Sequence, residues 1–125
     1  MTTAAMPYTA TVSRVFSAAH AIRMPDGTVE PLHGHNWDVR VTVARPELDG
    51  TGFVVDFHEL EASLDAVLKP LHNRNLNDVA EMADLNPTAE NVVRHIVRSL
   101  RIPTGVSLDR VEVSEAPGCV AAYRP

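Results

Sequence analysis

The sequence predicts an α+β domain, an antiparallel sheet with two helices on one face. Three observations lead there. Two long stretches near the N-terminus alternate apolar and polar residues. Two central stretches repeat apolar residues at helical spacing, and two further extended stretches close the chain. With 125 residues, one domain spanning about 8–125 is expected, with residues 1–7 as a loose, flexible tail.

From Tyr8 to Ile22 the residues Tyr8, Ala10, Val12, Phe16, Ala18, His20 and Ile22 share one parity, and Thr9, Thr11, Ser13 and Ser17 hold the other. Period two predicts a half-buried strand, with His20 on its apolar face. "RMPDGTVEP" is a loop by its prolines, Asp26 and Gly27. Leu32 to Ala44 alternates again: His33, His35, Trp37, Val39, Val41 and Val43 fall on one face, Asn36, Asp38, Arg40 and Thr42 on the other. "RPELDGTG" is a turn, and "FVVDF" reads as a short third extended piece.

A helix is expected from Asp56, which can cap it, with Glu59 three residues on as in a capping box. Phe57, Leu60, Leu64, Val67 and Leu68 form its apolar stripe, and Pro70 closes it. "LHNRNLNDVAEMADLN" reads as polar and irregular. A second helix starts in "NPTAEN", with Pro87 or a neighbour in its first turn, and buries Val92, Val93, Ile96, Val97 and Leu100. Strands over about 106–115 and Cys119–Tyr123 finish the chain. The apolar parity changes near Asp109, which predicts a bulge there. That makes four main strands, and a sheet with open edges needs them covered or paired, for which oligomerisation is a natural solution.

Hydrophobic residues make up 45% and charged residues 22% of the chain, a soluble globular composition. The net charge of −5 and the lack of a basic block argue against nucleic acid as a partner. The single cysteine, Cys119, rules out a disulfide within the chain and reads as a small packed residue. No apolar run reaches the roughly 18 residues of a membrane helix, and "MTTAAMPYTA" has no signal-peptide pattern. A cytoplasmic protein without membrane contact is the expectation.

The chemistry concentrates in "EPLHGHNWDV". His33 and His35 point the same way from one strand, and His20 faces the apolar side of another. Neutral imidazole is a common metal donor, and three such nitrogens with an open position match a catalytic zinc pattern. The glycine between the histidines keeps the other face clear. The competing reading is a set of hydrogen-bonded core histidines. His58, His72 and His95 lie outside this pattern, and His95 reads as a helix-surface residue.

"FSAAH", "LHGHNW", "GFVVDFHEL", "LHNRNLND", "NPTAENV" and "VEVSEAPGCVAAY" occur in the order seen in the 6-pyruvoyltetrahydropterin synthase / 6-carboxytetrahydropterin synthase family. The chain resembles that family from about Val15 to Tyr123. The resemblance implies the tunnelling fold, a four-stranded antiparallel sheet and two helices assembled into a barrel of trimers, usually a hexamer. It implies zinc on His20, His33 and His35, and a 7,8-dihydroneopterin triphosphate substrate at a subunit interface. It implies that Glu115 anchors the pterin ring, where a carboxylate can accept two N–H bonds from the amino-pyrimidinone edge. Thr88 is a further ring contact or simply a helix cap.

Two family features are missing. No cysteine precedes the His-Gly-His segment: Val29 and Gly27 stand where the carboxytetrahydropterin and pyruvoyl enzymes carry theirs. The family's Asp-His pair in "LDHRNLND" is here His72 and Asn73, and of these only His72 can move a proton. Three readings are open. In the first, Glu30 is the base, as in a family branch with glutamate for cysteine that yields 6-hydroxymethyl-dihydropterin by a retro-aldol cut; Asp26 is a weaker competitor. In the second, the enzyme makes 6-carboxytetrahydropterin for deazapurine synthesis with other groups. In the third, the protein binds a pterin and catalyses little.

Overall fold

The computed structural model describes residues 6–125. The tail expected at residues 1–7 therefore lies mostly outside the described residues; Met6 and Pro7 are exposed and precede the first strand. The elements run β1 (Tyr8–His20), β2 (His33–Arg45), α1 (Phe57–Leu68), β3 (Arg74–Asn75), two 3₁₀ turns (Leu76–Asp78 and Ala80–Met82), α2 (Ala89–Ser99), β4 (Ser107–Ala116) and β5 (Cys119–Tyr123).

β1 and β2 pair antiparallel along their full length, from Tyr8 opposite Arg45 to His20 opposite His33. The alternation read in the sequence is the reason: Val12, Phe16, Ala18 and His20 on β1 meet Trp37, Val39, Val41 and Val43 on β2, all of them buried. Any other register by one residue would turn these side chains to solvent. Val111 and Val113 extend the same face onto β4. Trp37 is fully buried, stacks on Phe16 with ring centroids 5.8 Å apart, and donates its indole N–H to the Ala18 carbonyl at 3.1 Å.

Both helices lie on this face, α1 over β1 and α2 over β4 and β5. The Asp56 carboxylate caps α1 by accepting from the His58 N–H, and α1 buries Leu60, Leu64, Val67 and Leu68. Burying each such side chain contributes roughly 1.5–3 kcal/mol. Phe57 does not join the stripe: at the first helical position it faces outward, 54% exposed. Thr88 caps α2, accepting from the Asn91 N–H, so Pro87 precedes the helix and is not in its first turn.

The sheet has five strands, in the order β3-β1-β2-β4-β5, one more than the sequence suggested. The extra strand comes from the stretch read as irregular. Asn73, in the left-handed region at φ 59°, turns the chain after α1, donates its N–H to the Ser17 carbonyl, and sets Arg74–Asn75 parallel to β1. That stretch also supplies core: Leu71, Leu76, Val79 and Met82 are buried. "FVVDF" is no strand. Asp49 accepts from the N–H groups of Thr51 and Phe53 and folds the segment into a turn, from which only Val55 is fully buried.

The bulge expected near Asp109 is present. Thr42 faces Arg110 while Val43 faces Leu108, so Asp109 is the extra residue. A second bulge was not foreseen: against β5, Ser114 pairs with Val120 and Ala116 with Cys119, leaving Glu115 unpaired. Cys119 is exposed, contrary to its expected packing, because it opens the edge strand β5 just past the turn.

Candidate active site

The site sits at the end of the β1–β2 ladder. His20 closes β1 and His33 opens β2 directly across from it; His35 is two residues on, opposite Ala18. The period-two pleat therefore puts all three imidazoles on one face. The rings meet edge to face, with centroid separations of 4.7 Å (His20–His33), 5.1 Å (His20–His35) and 4.8 Å (His33–His35). Trp37 forms the floor beneath His20 and His35.

Hydrogen bonds fix which nitrogens face inward. His20 Nδ1 lies 2.7 Å from the Pro87 carbonyl and His33 Nδ1 2.8 Å from the Pro31 carbonyl. A carbonyl only accepts, so both Nδ1 atoms carry the hydrogen. In the neutral rings that a metal requires, both Nε2 atoms then present lone pairs, and they face each other at 3.1 Å. His35 Nε2 is buried with no hydrogen-bond partner. Two opposed lone pairs and an orphaned third nitrogen suit a cation between them. One ligand atom from each of the three residues fits within 4.8 Å of the others, so the triad can hold a metal ion. Burial lowers the His35 pKa below 6.5; Glu115 opposes this, His20 and His33 add to it, and Glu30 opposes it. His35 is thus neutral near pH 7, the state a metal needs.

Two carboxylates flank the triad. Glu30 Oε1 lies 3.6 Å from His33 Nε2 and accepts from the Ile22 N–H at 3.2 Å. Glu115 Oε2 lies 3.6 Å from His20 Nε2 and is buried without a hydrogen-bond partner. Strand alternation accounts for its aim: Glu115 follows the buried Val111 and Val113 at the same parity and so turns to the face of the triad.

The structure thus brings together His20, His33, His35, Glu30 and Glu115. Thr88 is one residue from the Pro87 carbonyl that holds His20, with its hydroxyl engaged in the cap. His72 is not among the groups around the triad in this chain: it is exposed, and its Nδ1 accepts from the Ser17 N–H on the side of β1 where β3 adds. Asp26 bonds to Thr28 within its own loop. Gly34 is not demanded by backbone strain. A Cβ there would meet only the Ala18 carbonyl at 3.9 Å, so the glycine leaves open a cleft of about 600 Å³ lined by Ser17, His35, Asn36 and residues 73–75.

Residue types alone could not have revealed Pro87 and Pro31, which act through main-chain carbonyls, or Asn77 and Asn86, which hold the chain just after His20. A groove of about 720 Å³ lies away from the triad, between α1 and the loop after α2.

A five-stranded sheet with two helices on one face and three convergent imidazoles at its strand ends defines the class: a tunnelling-fold protein with a metal-competent centre. A family model described as 6-pyruvoyl tetrahydropterin synthase matches residues 9–125, and the chain belongs to that family. Dihydroneopterin monophosphate aldolase of Pyrococcus furiosus is 37% identical over 102 residues, covering 80% of this chain and 82% of that protein. The 6-carboxy-5,6,7,8-tetrahydropterin synthase of Synechocystis is 36% identical over 114 residues, covering 87% and 85%. Among solved structures, Caenorhabditis elegans 6-pyruvoyl tetrahydropterin synthase aligns with a TM-score of 0.74 at 26% identity, over 96% of this chain and 98% of that one.

Proposed function

We propose that the protein is a zinc-dependent pterin lyase that cuts the side chain of a phosphorylated 7,8-dihydroneopterin by a retro-aldol reaction, with Glu30 as the base. The observation that carries this is the position of Glu30: its carboxylate lies 3.6 Å from His33 Nε2, where the family's cysteine is missing and Cys119 is far along the chain on β5. The aldolase name of the Pyrococcus relative supports the same reaction class.

His20, His33 and His35 would hold the zinc through inward nitrogens. When bound, zinc supplies Lewis acidity toward the hydroxyls of the substrate side chain. Glu115 accepts the N–H groups of the pterin's amino-pyrimidinone edge, and its buried, unpartnered Oε2 is an acceptor with nothing else to bind. Thr88 adds a contact to the ring. Glu30 removes the proton from the hydroxyl on the second side-chain carbon. The bond between the first and second carbons then breaks, a carbonyl forms on the second, and the electron pair moves to the first, conjugated with the ring. The proton returns from Glu30 to that carbon, relayed by His72. The products are 6-hydroxymethyl-dihydropterin and a phosphorylated glycolaldehyde, with no atom gained or lost.

His72 is the second proton-transfer group, acting across a subunit contact. With its Nδ1 accepting from Ser17, Nε2 is the nitrogen left to exchange protons. The working form is a cytoplasmic homo-oligomer, a hexamer built as a dimer of trimers. No described helix is long and apolar enough to cross a membrane.

The test is product identification. Zinc-loaded protein is incubated with 7,8-dihydroneopterin triphosphate and, separately, with the monophosphate, and the products are read by mass spectrometry. 6-Hydroxymethyl-dihydropterin is expected. 6-Carboxy- or 6-pyruvoyl-tetrahydropterin would overturn the retro-aldol reading, and unchanged substrates would leave a pterin-binding role.

A further inference from the structure

The chain does not lose strand geometry after His20. In extended backbone, successive residues turn their N–H and C=O groups to opposite sides. Ala21 and Arg23 face one side and meet no strand there. Instead, Asn77 accepts from the Ala21 N–H at 2.8 Å and donates to the Ala21 carbonyl at 2.9 Å. Asn86 does the same for Arg23, at 2.8 and 3.0 Å. Ile22 faces the other side, where its carbonyl accepts from the Glu30 N–H and its N–H donates to the Glu30 carboxylate. Two carboxamides thus replace a neighbouring strand on one side, while on the other the antiparallel Arg23–Val29 bridge and the Glu30 carboxylate pair the chain.

Asn86 differs from Asn77 in its C-terminal neighbour. The next carbonyl, that of Pro87, is the acceptor that fixes the His20 ring. The Asn86 carbonyl is itself held by the Asn91 side chain at 2.8 Å and the Thr88 N–H at 2.7 Å. With proline's φ locked by its ring, little freedom separates the Asn86 side chain from the Pro87 carbonyl.

We propose that Asn86 is a positioning residue for the metal centre: by clamping Arg23 it holds the Pro87 carbonyl against His20, and through Arg23 and Ile22 it holds the Glu30 loop against His33. Outer-shell partners of ligating histidines typically change metal affinity by about 10–100-fold. Asn86 acts one step further out, on the placement of the acceptor, so the effect belongs at the lower end of that range. The metal arm of the inference needs only the triad; the Glu30 arm rests on the proposed function.

Zinc affinity is measured by chelator competition, without substrate, on the full chain and on Asn86→Ala, Asn86→Asp and Asn77→Ala, alongside zinc-free thermal unfolding and the visible spectrum of the cobalt-substituted protein. Asn86→Ala is expected to weaken zinc about 10-fold and to alter the cobalt spectrum. Asn86→Asp keeps the acceptor for the Arg23 N–H and is expected to fall between. Asn77→Ala removes an equivalent clamp and costs similar thermal stability, yet leaves zinc affinity within about 2-fold, since no ligand's acceptor lies next to it in the chain. Equal zinc affinities in the two alanine variants would make the clamp merely structural and overturn the proposal. If Asn86→Ala does not fold, wild-type zinc affinity in Asn86→Asp overturns it. Because substrate is absent, a failed product assay leaves this result standing, and the reverse holds as well.

Discussion

His20 and His33 present their Nε2 lone pairs to each other at 3.1 Å, while both Nδ1 atoms are tied to carbonyl oxygens. A cation between them relieves the opposition. His33→Ala leaves two imidazoles, which hold zinc far more weakly than three. Elemental analysis after dialysis is expected to find stoichiometric zinc in the unaltered protein and little in the variant. Full retention would remove His33 from the ligand set.

Glu30→Gln keeps the shape of the side chain and its bond from Ile22 but cannot accept a proton. Zinc content is expected to stay unchanged while kcat falls at least about 100-fold. Steady-state kinetics with elemental analysis on the same sample check this. A loss under tenfold would move the base elsewhere.

Glu115→Gln exchanges one acceptor oxygen for a donor that opposes the ring's own N–H groups. A hydrogen bond to a charged group contributes about 1.5–3 kcal/mol, so dihydropterin binding should weaken roughly 10–100-fold. Fluorescence titration of zinc-loaded protein measures it, and unchanged affinity would mean that the ring is anchored by another residue.

His95 is partly buried on α2, and burial lowers its pKa below 6.5, with Glu81 partly opposing. The folded protein therefore takes up this proton at a lower pH than the unfolded chain. Below about 6.5 the unfolded chain binds more protons, and stability is lost as the pH falls to the folded value. His35 has the same sign in zinc-free protein. The zinc-free melting temperature should fall from pH 7 to 5, and His95→Asn should flatten part of that slope. Parallel curves would exclude His95.

Trp37→Phe removes the bond to the Ala18 carbonyl and leaves space beside Phe16, His20 and His35. A loss of about 2 kcal/mol is expected from the lost indole hydrogen bond and the cavity together, measured by urea unfolding. No loss would mean that the neighbouring side chains refill the space.

The long alternating strands were legible because a period of two over thirteen residues has no competing explanation. The triad came with it, since parity alone puts His33 and His35 on one face. "FVVDF" misled because five residues are too few for periodicity to outweigh the turn that Asp49 builds. Arg74–Asn75 could not be foreseen: its two residues are a strand only because Ser17 and its neighbours lie alongside. The same holds for the site's supports. A backbone carbonyl at Pro87 or a carboxamide at Asn86 leaves no pattern, for its partner is more than sixty residues away.

β4 holds two residues that its neighbours do not match, Asp109 against β2 and Glu115 against β5. The strand thus carries slack, and that slack sets its phase. Leu108 and Val111 both turn inward only because Asp109 intervenes. A chain one residue shorter here could still build a regular sheet around an intact histidine triad, but either Leu108 or the Val111–Glu115 run would then face out of phase. Length in this strand, as much as the identity of any side chain, decides whether a carboxylate arrives beside His20.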